Sequence, residues 1–259
     1  MIHTKVVKFL FPEIIHSRLR DFYLQFRAKL YSGDQFFCPC CLRHFRKFFS
    51  SGTIPRPNAM CPGCNSLERH RLLALYLENQ TNLFEQQLKV LHFAPEYMFQ
   101  KRFSMLPNLD YISADIQSQY AQYKIDIMNI PYEDSSFDVV LCNHVLEHVL
   151  DDNQAMRELF RILKPGGWAI LQVPLDPTLD KTYEDPNIVS PEDRALHFGQ
   201  WDHVRMYGRD YKDRLEAVGF MVKVDDYVRQ LDRAMIEKCR LDKAEDIYYC
   251  SKNKQAPIR

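Results

Sequence analysis

The sequence predicts an α/β protein whose main domain holds a doubly wound, mostly parallel, seven-stranded sheet, with a small cysteine-rich module in front of it. Strand-like and helix-like patterns alternate from Lys89 to Lys252, which is typical of a parallel sheet covered by helices on both faces. Two Cys-x-x-Cys pairs precede this alternation. With 259 residues, of which 46% are hydrophobic, the chain is long enough for one such domain and an appendage.

The predicted strands are short runs rich in aliphatic and aromatic residues, bounded by turn formers. They are Lys89–Phe93, Tyr111–Ile116, Lys124–Ile127, Phe137–Cys142, Trp168–Leu175, Met221–Val228 and Asp246–Lys252. A helix is predicted between the fourth and fifth strands, because acids begin the segment DDNQAMRELFRILKPGG and an apolar stripe follows at helical spacing. We expect its Pro-Gly-Gly to end that helix.

The four paired cysteines indicate a zinc-knuckle module. Cys38 and Cys41 form one pair, Cys61 and Cys64 form the other, and this spacing is that of closed, structural zinc sites with four cysteine ligands. Cys40 lies between two of the proposed ligands and could replace a neighbour, so the ligand register stays open. Two unrelated reduced thiol pairs are the alternative. We expect a structural Zn²⁺ and assign it no catalytic role.

Composition favours a cytoplasmic protein. The chain has no window of about 18 uncharged apolar residues, and its N-terminus is not typical of a signal peptide. Net charge is zero, but residues 1–70 hold 11 Lys and Arg against 4 Asp and Glu. A basic end of this kind can meet nucleic acid, anionic lipid or the protein's own acidic domain, and a solvated basic face is the simpler interpretation.

Polar residues follow several of the predicted strands at the edge where parallel sheets bind ligands. Asp115 closes the second strand, and an acid there can accept hydrogen bonds from both hydroxyls of a ribose. Asp126 lies at the third strand and suits an adenine amino group. Asn143 and His144 directly follow the fourth. Their order and spacing predict a nucleoside site.

The chain resembles the class I S-adenosylmethionine-dependent methyltransferases, specifically the type-11 group, in IPYEDSSFDVVLCNHVLEHVLDD and RELFRILKPGGWAILQVPL. The resemblance runs from about Lys89 to Lys252 and is most specific from Ile130 to Pro174. The stretch CPGCNSLERHR resembles a bacterial subgroup with a cysteine-rich N-terminal module. The resemblance implies a Rossmann-like methyltransferase fold and S-adenosyl-L-methionine as cofactor.

By this resemblance, the cofactor site combines the loop after the first strand with residues that follow the next three strands. The residues that we expect to bind the cofactor are Phe93, Ala94, Pro95, Glu96, Asp115, Ile116, Asp126, Ile127, Asn143 and His144. The loop FAPE lacks the glycines usual in the family, yet the methionine end of the cofactor has no phosphate to cradle. Ala94 is nearly as small as glycine, and Glu96 could pair with the cofactor's ammonium. A degenerate, empty site is the alternative.

The segment of about 176–207 is too polar for a core and too long for a plain connection, which favours a lid or substrate loop. His197, Gln200, Arg205 and Tyr207 are its candidate acceptor-binding residues. If the acceptor is a hydroxyl or ammonium group, His203 and His148 are candidate bases, because imidazole titrates near neutrality. The stretch HVLEH also matches the H-x-x-E-H pattern of some zinc peptidases, an alternative that the flanking strand and Pro-Gly-Gly disfavour.

The expected organisation is a basic helical segment (1–35), a zinc-ribbon-like module (36–66), a linking helix (67–88), the methyltransferase domain (89–252) and a tail (253–259). The expected function is methyl transfer to a small molecule such as a sugar or surface-polysaccharide precursor. An RNA or protein methyltransferase that uses the zinc module to bind its substrate is one alternative. A non-catalytic binding protein built on a degenerate methyltransferase fold is the other.

Overall fold

The computed structural model describes residues 13–52, 54–118 and 120–253. It divides the chain into two compact units: Met1–Gln80 with Val228–Glu245, and Thr81–Tyr227 with Asp246–Arg259. The first part of the expected N-terminal segment, residues 1–12, and residues 254–259 of the expected tail lie outside the described residues. Residues 228–245 group with the N-terminal unit, whereas the sequence pattern placed them inside the 89–252 domain.

The described chain contains short strands throughout and helices of 4 to 18 residues. The strands are β1 (Ser32–Cys38), β2 (Arg43–Phe45), β3 (Phe49–Ser51), β4 (Arg56–Met60), β5 (Leu88–Phe93), β6 (Leu109–Asp115), β7 (Tyr123–Lys124), β8 (Phe137–Asn143), β9 (Leu163–Gln172), β10 (Met221–Asp225) and β11 (Ile247–Ser251). The helices are α1 (Glu13–Leu30), α2 (Glu68–Gln80), α3 (Tyr97–Phe103), α4 (Asp152–Ile162), α5 (Pro191–Phe198), α6 (Tyr211–Ala217), α7 (Tyr227–Gln230) and α8 (Arg233–Cys239).

The smaller unit is built around two antiparallel hairpins, β1–β2 and β3–β4, with α8 packed against β1. Arg71 of α2 is fully buried at its centre. Its guanidinium donates hydrogen bonds to the carbonyl oxygens of Ala59, Ser66, Cys239 and Arg240. One side chain therefore ties the β4 hairpin, the second cysteine turn and the end of α8 together.

The larger unit contains a seven-stranded sheet in the order β10-β11-β9-β8-β5-β6-β7. The strands from β9 to β7 pair in parallel, while β11 and β10 are antiparallel. Buried aliphatic side chains fill the central strands β5 and β8 on both faces, as a sheet covered by helices requires. The predicted doubly wound, mostly parallel, seven-stranded fold is confirmed.

Three local features differ from the sequence pattern. The third strand is only Tyr123–Lys124, so Asp126 lies just beyond it. No loop separates α4 from β9, because Leu163 pairs with Phe137 and the Pro-Gly-Gly lies within the strand. The HVLEH stretch contains a short 3₁₀ turn at Leu146–His148, where a continuous α-helix was the premise of the peptidase pattern.

The segment after β9 folds back on itself through two isolated β-bridges, Leu175 with Tyr207 and Tyr183 with Met206. Helix α5 lies within the loop that the inner bridge closes, capped at its start by the side chain of Ser190 and ended by Gly199 at φ 83°. Within the described ranges, no helix combines the length and the apolar character needed to cross a bilayer.

Candidate functional site

A cavity of about 250 Å³ opens at the carboxyl ends of the parallel strands in the larger unit. This is the position at which doubly wound sheets bind their ligands. Most of the predicted cofactor residues line it, together with His148: Phe93, Ala94, Asp115, Ile116, Asp126 and Ile127. Apolar side chains and two carboxylates in one concave site suit a ligand with a flat, apolar base and a polar sugar.

The two carboxylates of the cavity are held by their own turns. Asp115 Oδ1 accepts hydrogen bonds from the backbone N–H groups of Gln117 and Ser118, both at 2.6 Å. Asp126 Oδ1 accepts from the N–H of Met128 at 2.9 Å. These Asx-type turns fix the carboxylates and leave the second oxygen of each for a ligand.

The glycine-free loop after β5 takes a conformation that favours glycine. Ala94 has φ 44°, in the left-handed region, and its N–H donates to the Ala114 carbonyl oxygen at 2.8 Å. Its small side chain lines the cavity. The loop has therefore kept the backbone shape without the residue that adopts it most easily, at a cost of about 1 kcal/mol.

Glu96 lies beside this loop, and protein groups hold its carboxylate. His92 Nε2 is 3.0 Å from Glu96 Oε2, and the Asn143 side-chain amide donates to Oε1 at 3.4 Å. The other ring nitrogen of His92 is 3.0 Å from the Tyr111 hydroxyl, whose pKa is raised by burial and by the charge of Glu96. This series of hydrogen bonds could not be predicted from the sequence, because His92 lies inside a strand whose pattern is that of buried core.

The end of β8 and the turn after it contain buried polar atoms that have no hydrogen-bond partner among the described residues. His144 has φ 53°, and its Nδ1 is 3.4 Å from Glu147 Oε1. Asn143 Oδ1, His144 Nε2 and Glu147 Oε2 are buried and make no hydrogen bond within the described residues. Buried polar atoms without partners are uncommon in native proteins and indicate a place for a ligand, ion or water.

The two candidate bases are neighbours. The rings of His148 and His203 meet edge to face with centroids 4.8 Å apart. His203 is buried, which lowers the pKa of its imidazole and favours the neutral form, and its Nδ1 is 3.0 Å from the Phe198 carbonyl oxygen. His148 lines the cavity and packs beside the buried carboxylate of Glu147.

The four predicted acceptor residues fall into two groups. His197 and Gln200 are exposed, with His197 Nδ1 3.2 Å from the Tyr183 hydroxyl and the Gln200 amide donating to Asp202 Oδ1 at 2.7 Å. Arg205 and Tyr207 are buried, and neither lines the cavity among the described residues. Their contacts favour a structural role, since protein groups occupy their polar atoms.

Arg205 anchors the turn that carries Glu147 and His148. Its guanidinium donates to the carbonyl oxygens of Leu146, Val149 and Leu150 and pairs with Glu184 at 3.0 Å. In the same cluster, buried Asp152 accepts hydrogen bonds from the Tyr207 hydroxyl at 2.7 Å and from the Arg214 guanidinium at 2.6 Å. No local pattern in the sequence marks Asp152 as the centre of such a network.

A second candidate site lies in the smaller unit, where the four paired cysteines come together. The sulfur atoms of Cys38, Cys41, Cys61 and Cys64 all lie within 4.8 Å of one another, with Cys38 to Cys64 at 3.6 Å and Cys41 to Cys61 at 3.8 Å. Zinc–sulfur bonds of about 2.3 Å in a tetrahedron place the sulfurs about 3.8 Å apart. The donor set and its spacing fit Zn²⁺.

Cys40 is not a member of this group of four, and its Sγ donates to the His70 carbonyl oxygen at 3.3 Å. The geometry therefore favours the Cys38 and Cys41 register over one that includes Cys40. The Ser66 hydroxyl lies 3.2 Å from the sulfurs of both Cys38 and Cys64. A hydroxyl that donates to metal-bound thiolates is a common second layer of such sites.

Comparison with known protein families identifies part of the larger unit. Residues 97–171 match the family model described as a methyltransferase domain. The demethylmenaquinone methyltransferase of Staphylococcus epidermidis is 43% identical over 54 residues, which cover 21% of this chain and 22% of that protein. The ubiquinone/menaquinone biosynthesis C-methyltransferase UbiE of Idiomarina loihiensis is 29% identical over 83 residues, 31% of this chain and 29% of that protein. The chain thus spans less than a third of the length of either relative.

Among solved structures, the [4+2]-cyclase SpnF superposes with a TM-score of 0.50 at 14% identity, covering 71% of this chain and 82% of that one. A likeness at this identity shows the fold alone, and a cyclase on this fold illustrates that fold does not decide activity. The matched residues contain α3 to β9, including three strands that end at the cavity. Residues 97–171 thus match a methyltransferase domain, and the seven-stranded sheet that contains them has the Rossmann-like fold of class I methyltransferases.

Proposed function

We propose that the protein is an S-adenosylmethionine-dependent methyltransferase that acts on a small molecule. The observation that carries the proposal is the cavity at the strand ends of the methyltransferase domain, lined by Asp115 and Asp126. An empty, degenerate site would not need two turns that hold these carboxylates in place.

The cofactor's nucleoside is proposed to lie across the ends of β5, β6 and β7. Asp115 accepts hydrogen bonds from the ribose hydroxyls, and Asp126 accepts from the adenine amino group. Ile116 and Ile127 line the same cavity and pack against the flat base. Ala94 gives the methionine end room, because a larger side chain at this positive φ would be strained and would fill the cavity.

Glu96 is proposed to pair with the ammonium group of the cofactor. Its carboxylate accepts a hydrogen bond from the Asn143 side chain, where β5 and β8 end. The unpartnered Asn143 Oδ1 is an acceptor suited to an ammonium group. His144 completes this side of the site. S-adenosylmethionine supplies a methyl group on a sulfonium when it is bound, and the chain's own contribution is to orient the two reactants and exclude water.

The acceptor is proposed to enter from the side of His148, where Val149 and Leu150 complete the cavity wall. The curated relatives carry names of quinone-pathway methyltransferases, which supports a small-molecule acceptor over a macromolecule. The exposed His197 and Gln200 remain predicted acceptor contacts.

The four-cysteine group is proposed to hold one structural Zn²⁺. Four thiolates fill the tetrahedron, so no coordination position is open for a substrate. The zinc stabilises a unit whose hairpins are only 3 to 7 residues per strand.

Calorimetry tests the proposed donor site. The wild-type protein, the Asp115→Asn variant and a matched control variant, Asp110→Asn, are each titrated with S-adenosylmethionine and S-adenosylhomocysteine. Asp110 is exposed and lies near the start of β6, at the other end of the strand from Asp115. Loss of charge-assisted hydrogen bonds worth about 1.5–3 kcal/mol should weaken binding about 10- to 150-fold in Asp115→Asn. A wild type that binds neither ligand, or an Asp115→Asn affinity equal to that of Asp110→Asn, overturns the proposal.

A further inference from the structure

Three ligand-type side chains form a cluster beside the cavity. One donor atom from each of Glu147, His148 and His203 lies within 4.8 Å of the other two, and Glu147 Oε1 is 4.0 Å from His148 Nε2. An ion about 2.1 Å from each donor spaces them about 3 to 4 Å apart. Side-chain shifts of about 1 Å would therefore close the three donors around one ion.

Both histidines have one nitrogen engaged in the way that metal-binding imidazoles do. His148 Nδ1 faces Asp202, 3.3 Å from its carbonyl oxygen and 3.4 Å from its carboxylate. His203 Nδ1 lies 3.0 Å from the Phe198 carbonyl oxygen. An N–H donated to an oxygen at Nδ1 fixes the tautomer and leaves Nε2 with its lone pair.

One carboxylate oxygen of Glu147 is buried without a partner in the part of the chain that the structure describes. Its side chain is 1% exposed, and Oε2 makes no hydrogen bond within the described residues. A buried carboxylate oxygen without a partner is costly. A cation at this point would give the oxygen a partner and remove that cost.

The fold brings these distant residues together with backbone hydrogen bonds. The Val204 N–H donates to the Glu147 carbonyl oxygen at 2.9 Å, which sets His203 beside the 3₁₀ turn. Arg205 then holds the carbonyl oxygens of the same turn. The two segments that carry the donor atoms are therefore held in place by hydrogen bonds within the protein, without an ion.

We propose that Glu147, His148 and His203 bind a divalent transition-metal ion, such as Mn²⁺, Fe²⁺, Co²⁺ or Zn²⁺. Two imidazoles and one carboxylate suit these ions, and three protein ligands leave coordination positions open for water or an acceptor oxygen. The orphan His144 Nε2 lies next to this cluster. As ligands, His148 and His203 no longer serve as the general bases that the sequence suggested, and an ion beside the cavity would hold and acidify a hydroxyl directly.

Metal uptake tests the proposal without any methyl donor. Protein loaded with one Zn²⁺ per chain, enough for the four-cysteine site alone, is titrated with Mn²⁺, and free Mn²⁺ is followed by its electron paramagnetic resonance signal. We expect one further ion per chain. Glu147→Gln and His203→Gln should each weaken its binding at least 10-fold, whereas the control His44→Gln, an exposed histidine of the smaller unit, should not.

A measurement on the wild type alone covers the case in which the variants do not fold. Pulsed electron paramagnetic resonance of bound Mn²⁺ should detect two coupled imidazole nitrogens. Absence of a further bound ion, absence of nitrogen coupling, or folded Glu147→Gln that binds Mn²⁺ as well as His44→Gln overturns the site. None of these readouts depends on S-adenosylmethionine, so they stand apart from the donor calorimetry.

Discussion

Replacing one cysteine of the proposed zinc site should unfold the smaller unit, while replacing the neighbouring Cys40 should not. Cys64→Ser removes one of four sulfurs that lie within 4.8 Å of one another. Apparent binding energies of structural zinc in small domains are about 10–16 kcal/mol. A whole domain is stable by only about 5–15 kcal/mol, so losing even part of the zinc contribution removes most of the stability of this unit.

The assay compares zinc content and unfolding for the two variants. Cys40 is buried like most of the proposed ligands, but it lies outside the group of four sulfurs, and its Sγ donates to the His70 carbonyl oxygen, a contact that a serine hydroxyl keeps. We expect wild type and Cys40→Ser to hold one zinc per chain by elemental analysis and to unfold at similar temperatures. Cys64→Ser should hold less than one and should show early protease cleavage in the smaller unit.

Two results would contradict the proposed zinc site or its ligand register. Wild-type protein purified without chelator that contains no zinc and binds none when it is added would leave the four cysteines as ordinary reduced thiols. Equal zinc loss in Cys40→Ser and Cys64→Ser would mean that the ligand register is wrong.

Three further predictions concern stability. Ala94→Gly should stabilise the protein by up to about 1 kcal/mol in thermal unfolding, because removing the strain of the left-handed φ outweighs the greater entropy of the unfolded chain. Ala94→Val should destabilise the protein. The reverse order of stabilities would contradict the inferred backbone strain. Arg161 lowers the pKa of Glu158 below its ordinary 4.5, so the destabilisation of Glu158→Gln relative to wild type should be full at pH 6–7 and disappear as pH falls through the lowered pKa; a pH-independent difference would contradict this. Arg71→Met removes the guanidinium from four carbonyl oxygens, of which that of Ser66 keeps the Cys61 N–H, and should lower the free energy of unfolding by at least about 3 kcal/mol. A loss below about 1 kcal/mol would contradict the role of Arg71.

The sheet was predictable because its signal is local. Alternating apolar strands and amphipathic helices predict a parallel sheet covered by helices on both faces. In such a sheet the acids at the strand ends lie at the edge where ligands bind. Asp115 and Asp126 line the same cavity although the strand before Asp126 is shorter than predicted. Paired cysteines are equally local, since each Cys-x-x-Cys turn is visible by itself.

The roles of Arg205, Tyr207 and Glu147 could not be predicted in the same way. The carbonyl groups that Arg205 binds and the carboxylate that Tyr207 binds lie some 55 residues away in the chain. The break in the HVLEH stretch depends on a positive φ at His144, a residue type that gives little warning of it. Tertiary contacts, such as the Val204 N–H to Glu147 carbonyl bond and the His148–His203 ring contact, are what bring HVLEH and a distant histidine into one cluster.

The most direct measurement is a co-crystal structure with S-adenosylhomocysteine. We expect the nucleoside to fill the cavity at the ends of β5, β6 and β7, with its ribose hydroxyls about 2.6–3.0 Å from the Asp115 carboxylate and its adenine beside Asp126. Density for the ligand elsewhere, or a ribose that contacts neither carboxylate, would contradict it.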